Sequence, residues 1–239
     1  MMLWFRAWLE TRTRFLICLA GILFLCLFSV FPYEKQAGHW VVRSYYNYVL
    51  LNAHLMLVVM WVLTVTLLMM GGLLREEALG SASFTLALPV SRQRLMAVRI
   101  ATGAFQAVTL AIAPWCAMYL IAITLGKTYY SLSQVAFHLL LLLTGGAVFF
   151  AIALLVSSVV SGEYTAPLVS FGAALAIATM LSGKIQIFSP FAFIMGTEYI
   201  DWHTYLLVGP FPWAEAAIRL FLAALLTWIA VRIISKRDF

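Results

Sequence analysis

Charge is scarce in this sequence. Asp, Glu, Lys and Arg make up 10% of the residues against 64% hydrophobic, and mean hydropathy is +1.01. Soluble domains carry about 25% charged residues, so a membrane rather than water is the expected solvent. Cysteine is scarce as well. Cys18, Cys26 and Cys116 all lie in apolar runs and no C-x-x-C occurs, which argues against a disulfide framework or a thiolate zinc site and leaves packing roles. Residues 15–33, 44–74, 100–126, 128–162 and 164–183 contain no charged side chain at all. Ion-coupled carriers keep carboxylates within their spans, and here the first five spans offer none. Glu163, in the turn Ser161-Gly162-Glu163-Tyr164 before Pro167, reads as an acid favoured at a helix start.

Nucleotide and protease motifs are also missing. Gly183-Lys184 is followed by Ile185, which cannot ligate magnesium, and the earlier glycine of a phosphate loop falls at Ala178. The chain is therefore expected to bind no nucleotide and to be no ATPase itself. There is no H-E-x-x-H, and Glu76-Glu77 lacks the arginine that a Glu-Glu protease motif needs, having Gly80 instead. His39, His54, His138 and His203 all map to outer loops or outer ends of spans. His54 and His138 could meet near the outer face, where boundary hydrogen bonding is the simpler reading.

What is present is a series of apolar segments long enough to cross about 30 Å of hydrocarbon. Spans are expected near 15–31, 49–70, 100–125, 135–160, 165–181 and 214–234. In the last, Glu215 and Arg219 stand four apart with the acid first, the favourable helical order, and read as a boundary ion pair. With the N-terminus in the cytoplasm, Arg6, Arg12, Arg14, Arg75, Arg92, Arg94, Arg99, Arg232, Lys236 and Arg237 fall inside, against Lys35, Arg43, Lys127 and Lys184 outside. This bias favours an all-α membrane protein of six transmembrane helices with cytoplasmic N- and C-termini. It also accounts for the net charge of +6 without nucleic acid. The whole of 1–239 reads as one transmembrane domain. Residues 1–14 suggest an amphipathic interfacial helix, with Trp4, Phe5, Trp8 and Leu9 to one side and Arg6, Glu10 and Arg14 to another. Residues 182–213, rich in aromatics and broken by Pro190, Pro210 and Pro212, suggest short helices or a re-entrant hairpin on the outer side.

One polar stretch interrupts the apolar pattern: REEALGSASFTLALPVSR, residues 75–92. Glu76 and Glu77 favour a helix start. Gly80, Ser81 and Ser83 allow close backbone approach, and Phe84, Leu86 and Leu88 offer apolar anchors. Pro89 turns the chain, and Ser91 can cap the helix beyond it.

This Glu-Glu, glycine, Leu-Pro-Val-Ser-Arg pattern resembles the first cytoplasmic loop of ABC-2 type transporter permeases. The tail Lys236-Arg237-Asp238-Phe239 is similar to that family's common ending, and the six-span layout with an amphipathic start matches too. The resemblance implies a type V exporter-like fold in the cell membrane, multi-pass and bacterial. It implies a permease subunit that works with a second permease chain, identical or not, and with two cytoplasmic ABC ATPase subunits that bind ATP and Mg. Glu76, Glu77, Gly80, Phe84, Leu88, Pro89 and Arg92 would form or brace the coupling helix that meets the ATPase. The substrate path would lie between permeases, with Asn52, Met56, Met60 and Thr64 from span two and Gly172 and Thr179 from span five. Its apolar, Met-rich lining would suit a drug, peptide or lipid. An intramembrane enzyme, or a non-transporting scaffold or immunity protein, are the alternatives.

Overall fold

A computed structural model describes residues 2–30, 42–69, 91–124, 131–160, 165–180 and 189–236. Long helices dominate: α1 (Met2–Val30), α2 (Val42–Leu68), α3 (Arg92–Thr124), α4 (Leu132–Val159), α5 (Thr165–Met180) and α7 (Trp213–Lys236). A short helix α6 (Pro190–Met195) and a two-stranded antiparallel hairpin, β1 (Ile200–Asp201) and β2 (Leu206–Leu207), precede α7. The chain is a helical, multi-pass membrane protein, and among the described residues five helices are long and apolar enough to cross. α5 has 16 residues, about 24 Å at the helical rise, and falls short of the hydrocarbon thickness on its own described length.

Capping residues set several helix starts. Ser91 Oγ accepts from the amide of Arg94 at 3.3 Å, so Ser91 does cap α3. Ser131 Oγ accepts from the Gln134 amide at 3.4 Å and starts α4. Ser189 caps α6, with Pro190 at its first turn and Gly196 ending it at a φ of 67°. Pro114 is accommodated within α3.

Residues 2–30 form one unbroken helix, α1, with no turn between its charged start and its apolar second half. Some polar residues of its first turns meet partners, and Glu10, Arg12 and Thr13 remain exposed. Glu10 bonds Arg6 in its own helix and Arg99 in α3, both at 3.2 Å, and Thr11 Oγ1 accepts from Gln106 Nε2 at 2.7 Å. Glu10 and Thr11 thereby link the start of α1 to α3. Trp4, Phe5 and Leu9 stay exposed on the opposite side.

The core is centred on α2, α3 and α4. Trp61, Trp115, Phe149, Leu57, Leu110 and Met118 are among its fully buried side chains. Trp61 donates its indole N–H to the carbonyl of Ala107 at 2.9 Å, which ties α2 to α3 while satisfying a buried donor. α7 lies along α4 in the same direction: Leu141 groups with Ala216, and further along Val148 and Ala151 group with Ala223. α6 and the hairpin close the end of the bundle where α4 and α7 begin.

Candidate functional site

Of the loop residues singled out by sequence, Glu76, Glu77, Gly80, Phe84, Leu88 and Pro89 lie outside the described residues. Arg92 is the first residue of α3, and its side chain is likewise outside the description. On α2, Met56 is exposed while Asn52 and Met60 are half-buried. Thr64 is turned inward and its hydroxyl donates to the Trp61 carbonyl at 2.9 Å, so it packs within its own bundle. Gly172 on α5 is exposed with open space beside it. Thr179 belongs to α5, and its side chain is outside the description. The four residues of α2 thus follow one stripe, from open surface at Met56 to the interior at Thr64.

The densest polar chemistry lies at the end of the bundle beneath the cap made by α6 and the hairpin. His54 on α2, Trp115 on α3 and His138 on α4 form a closed triangle of rings. Their centroids are 4.6 Å apart for His54–His138, 5.3 Å for Trp115–His138 and 5.7 Å for His54–Trp115. Both histidines are fully buried. His54 Nε2 lies 3.2 Å from the carbonyl of Ile194 in α6, and His138 Nδ1 lies 2.9 Å from the carbonyl of Gln134. A carbonyl can only accept, so in the neutral rings His54 carries its proton on Nε2 and His138 on Nδ1. His54 Nδ1 then presents a lone pair with no hydrogen-bond partner among the described residues.

Three further contacts seat the cap. Gln134 acts as a strand edge made from a side chain: its Nε2 donates to Leu207 O at 2.8 Å, and its Oε1 accepts from Leu207 N at 2.9 Å. Tyr199 OH donates to Glu215 Oε1 at 2.9 Å, while Arg219 Nη1 donates to Glu215 Oε2 at 3.1 Å. The Arg219 guanidinium also stacks 3.8 Å from the Phe193 ring centroid. Burial and the neighbouring Glu215 push the Tyr199 hydroxyl up to about 12, so it remains a donor throughout the physiological range. Gly145 and Gly146 of α4 make room for the cap and for Trp61. A Cβ on Gly145 would meet Ile194 Cγ1 at 2.5 Å, and one on Gly146 would meet Trp61 Cζ3 at 2.5 Å.

The sequence indicated that His54 and His138 could meet and that Glu215 and Arg219 could pair, and both contacts are present. It held no sign of Gln134, whose partner lies far along the chain, or of the Gly145-Gly146 notch. No group of three His, Cys, Asp or Glu side chains with metal-binding placement occurs among the described residues. The cluster seats the cap, with hydrogen-bonding groups that fix its position.

At the hairpin tip, Asp201 accepts from the His203 amide at 3.0 Å and from Thr204 Oγ1 at 2.7 Å. These bonds hold its carboxyl below the usual carboxylate range. A depressed folded value means that the stabilisation is fully present above the unfolded pKa of about 4 and is lost as pH falls through the folded value. Hydrogen-exchange protection factors of amides in 199–208 should therefore fall on acidification below pH about 4, and Asp201→Asn should flatten that response. An unchanged acid response in the Asn variant would assign it to another group.

No protein-family model, curated protein or solved structure matches this chain.

Proposed function

We propose that this chain is the permease subunit of an ATP-driven, ABC-2 type exporter. It pairs with a second permease in the cell membrane of a bacterium and is driven by two separate ATPase subunits that bind ATP and Mg. The observation that carries the reading is the polar stretch 75–92 between two apolar helices, with its acids, Gly80, apolar anchors and Leu88-Pro89-Val90-Ser91-Arg92 ending. The helix entered from that stretch suits a lever. α3 starts at Arg92, capped by Ser91, and continues for 33 residues. A displacement at its first turn would be carried through the bundle and, by the Glu10–Arg99 bond, into α1. Such a loop does work only if it binds one motor state better than another.

In this reading α5 is the fifth of six crossings, the span expected near 165–181. The cargo path lies between two permeases, along the exposed stripe of α2 around Met56 and the open face of α5 around Gly172. The cargo is hydrophobic or amphipathic.

A Gly-Ser linker of equal length in place of residues 76–88 should abolish co-purification with the ATPase and reduce ATP-dependent transport in vesicles to background, while leaving the melting temperature of the permease unchanged. In parallel, Gly172→Leu should leave the isolated chain folded, since no atom lies within 4 Å of the added Cβ, yet block pairing of permeases. Normal assembly of the linker variant with its ATPase would refute the reading. Full function in cells lacking every such ATPase would favour an intramembrane enzyme or a scaffold instead.

A further inference from the structure

A histidine holds α6 to the bundle. His54 lies early in the crossing segment Val49–Leu68, at the end that α6 closes. Its Nε2 donates to the Ile194 carbonyl at 3.2 Å, and its ring is fully buried. Its Nδ1 has no hydrogen-bond partner among the described residues. α6 is six residues long, too short to be stable by its own helical bonds. Its position therefore depends on what Phe193, Ile194 and Met195, all buried, find beneath them.

The groups around His54 decide what a proton would do there. The His138 ring approaches from α4 to 4.6 Å between centroids, and the Trp115 ring from α3 to 5.7 Å. α6 presents the Ile194 carbonyl. α7 contributes the Glu215–Arg219 pair, whose guanidinium stacks 3.8 Å from the Phe193 ring. The hairpin segment carries Glu198, Tyr199, Asp201 and His203; Tyr199 bonds Glu215, and Asp201 accepts from the His203 amide at the tip. Among the described residues no carboxylate bonds His54. A second proton on the ring would sit on Nδ1, where it meets no acceptor and lies beside another imidazole. A buried charge without a partner is costly.

We propose that His54 is a proton-operated latch for α6. The neutral ring keeps α6 seated through Ile194. Once α6 lifts, the ring meets water, where an imidazole takes up a proton with a pKa of about 6.5. The lifted state thus binds a proton that the seated state has no place for, and acid favours lifting. Release begins as pH falls below about 6.5 and deepens by up to about tenfold per unit of pH for each histidine that reaches water. His138, on the same seat, supplies a second proton site when it is solvated together with His54. The hairpin has holds of its own, Gln134 to Leu207 and Tyr199 to Glu215, so α6 is the element that responds. The latch needs no ATPase and does not rest on the exporter reading.

The test is hydrogen exchange of the full chain in lipid nanodiscs from about pH 7.5 to about pH 5.5, above the ordinary carboxylate range of about 4. Protection factors are read at the amides of Phe193, Gly196 and Thr197, which bond within α6 and at its two ends. They should fall about tenfold across the window for one proton, or about a hundredfold for two, while amides of α3 and α4 stay protected. His54→Gln keeps a donor for Ile194 but takes up no proton, so the response should shrink by a factor of about ten. His54→Gln/His138→Asn should abolish it. His203→Gln, at the exposed hairpin tip, should keep the wild-type response. A flat wild-type profile, or an equal fall in α3 and α4, would overturn the latch whether or not the variants fold. A full response in the double variant, or its loss in His203→Gln, would assign the proton to another group and overturn it too.

Discussion

Replacing Gly146 with leucine is expected to stop the bundle closing around Trp61, with little folded protein recovered. A Cβ at this position would lie 2.5 Å from Cζ3 and 2.6 Å from Cη2 of the indole. The indole cannot swing aside, because it is buried and its Nε1 is bound to Ala107 O at 2.9 Å. Moving it would break the α2–α3 tie and leave a buried donor without a partner, which costs about 1–3 kcal/mol by itself. Even Gly146→Ala should cost about 1–3 kcal/mol, the usual range for overpacking. Gly145→Ala meets Ile194 and Phe193 of the cap and should behave similarly. Two other glycines act as controls. Gly103→Ala meets the flexible end of Met69, which can move, so its loss should be smaller. Gly172→Ala meets nothing within 4 Å, and the better helix propensity of alanine should stabilise it by about 0.5–1 kcal/mol. Melting temperatures in detergent should rank Gly172→Ala above wild type, then Gly103→Ala, then the two notch variants. A Gly146→Ala protein as stable as wild type would contradict the packing described for Trp61.

These glycines show where sequence reading loses its grip in a membrane protein. The apolar runs located the long helices because length and hydropathy are sufficient for that. Local signals were legible too: the Ser91 cap and the Glu215–Arg219 pair each depend on neighbours within one turn. Facing was not legible. α4 is apolar on all sides, so no periodicity marks the Gly145-Gly146 face as its interior one, whereas the same glycines in a water-facing helix would stand out. The link from the start of α1 to α3 was hidden for a related reason. Arg6 and Glu10 on a helix end look like a face for water until the complementary Arg99 is placed opposite by the fold, and that distance in sequence hides it. The resemblance groups Thr64 with Met56 and Met60 on span two, and only the fold shows that Thr64 is buried while Met56 is exposed. The two-stranded hairpin escapes notice because its strands are two residues each and one is completed by a side chain rather than a third strand. Residues 75–92 carry the functional reading through their chemistry alone.

Gln134→Leu should release the cap. The substitution roughly keeps the side chain's bulk but removes both bonds to Leu207, whose amide and carbonyl lie in a largely buried residue. Leaving two buried backbone groups unpaired should cost roughly 2–4 kcal/mol. The loss should be local, because the hairpin otherwise depends on its own ladder, the Val208 amide to Tyr199 carbonyl bond at 2.7 Å and the Tyr199–Glu215 contact. Hydrogen exchange should therefore accelerate across 199–208 while amides of α3 and α4 stay protected. Gln134→Glu gives a sharper result. Its carboxylate can still accept from Leu207 N but cannot donate to Leu207 O, and only the protonated acid restores both bonds. The folded state thus favours the proton and raises the pKa of the introduced carboxyl above its unfolded value. Protection of the hairpin should be greatest below the unfolded value of about 4.3 and decline as pH rises through the folded one. Because Asp201 moves in the opposite direction with acid, the Gln134→Glu effect should be read in an Asp201→Asn background. Exchange in 199–208 that is unaltered in Gln134→Leu would mean that the side chain does not hold the hairpin.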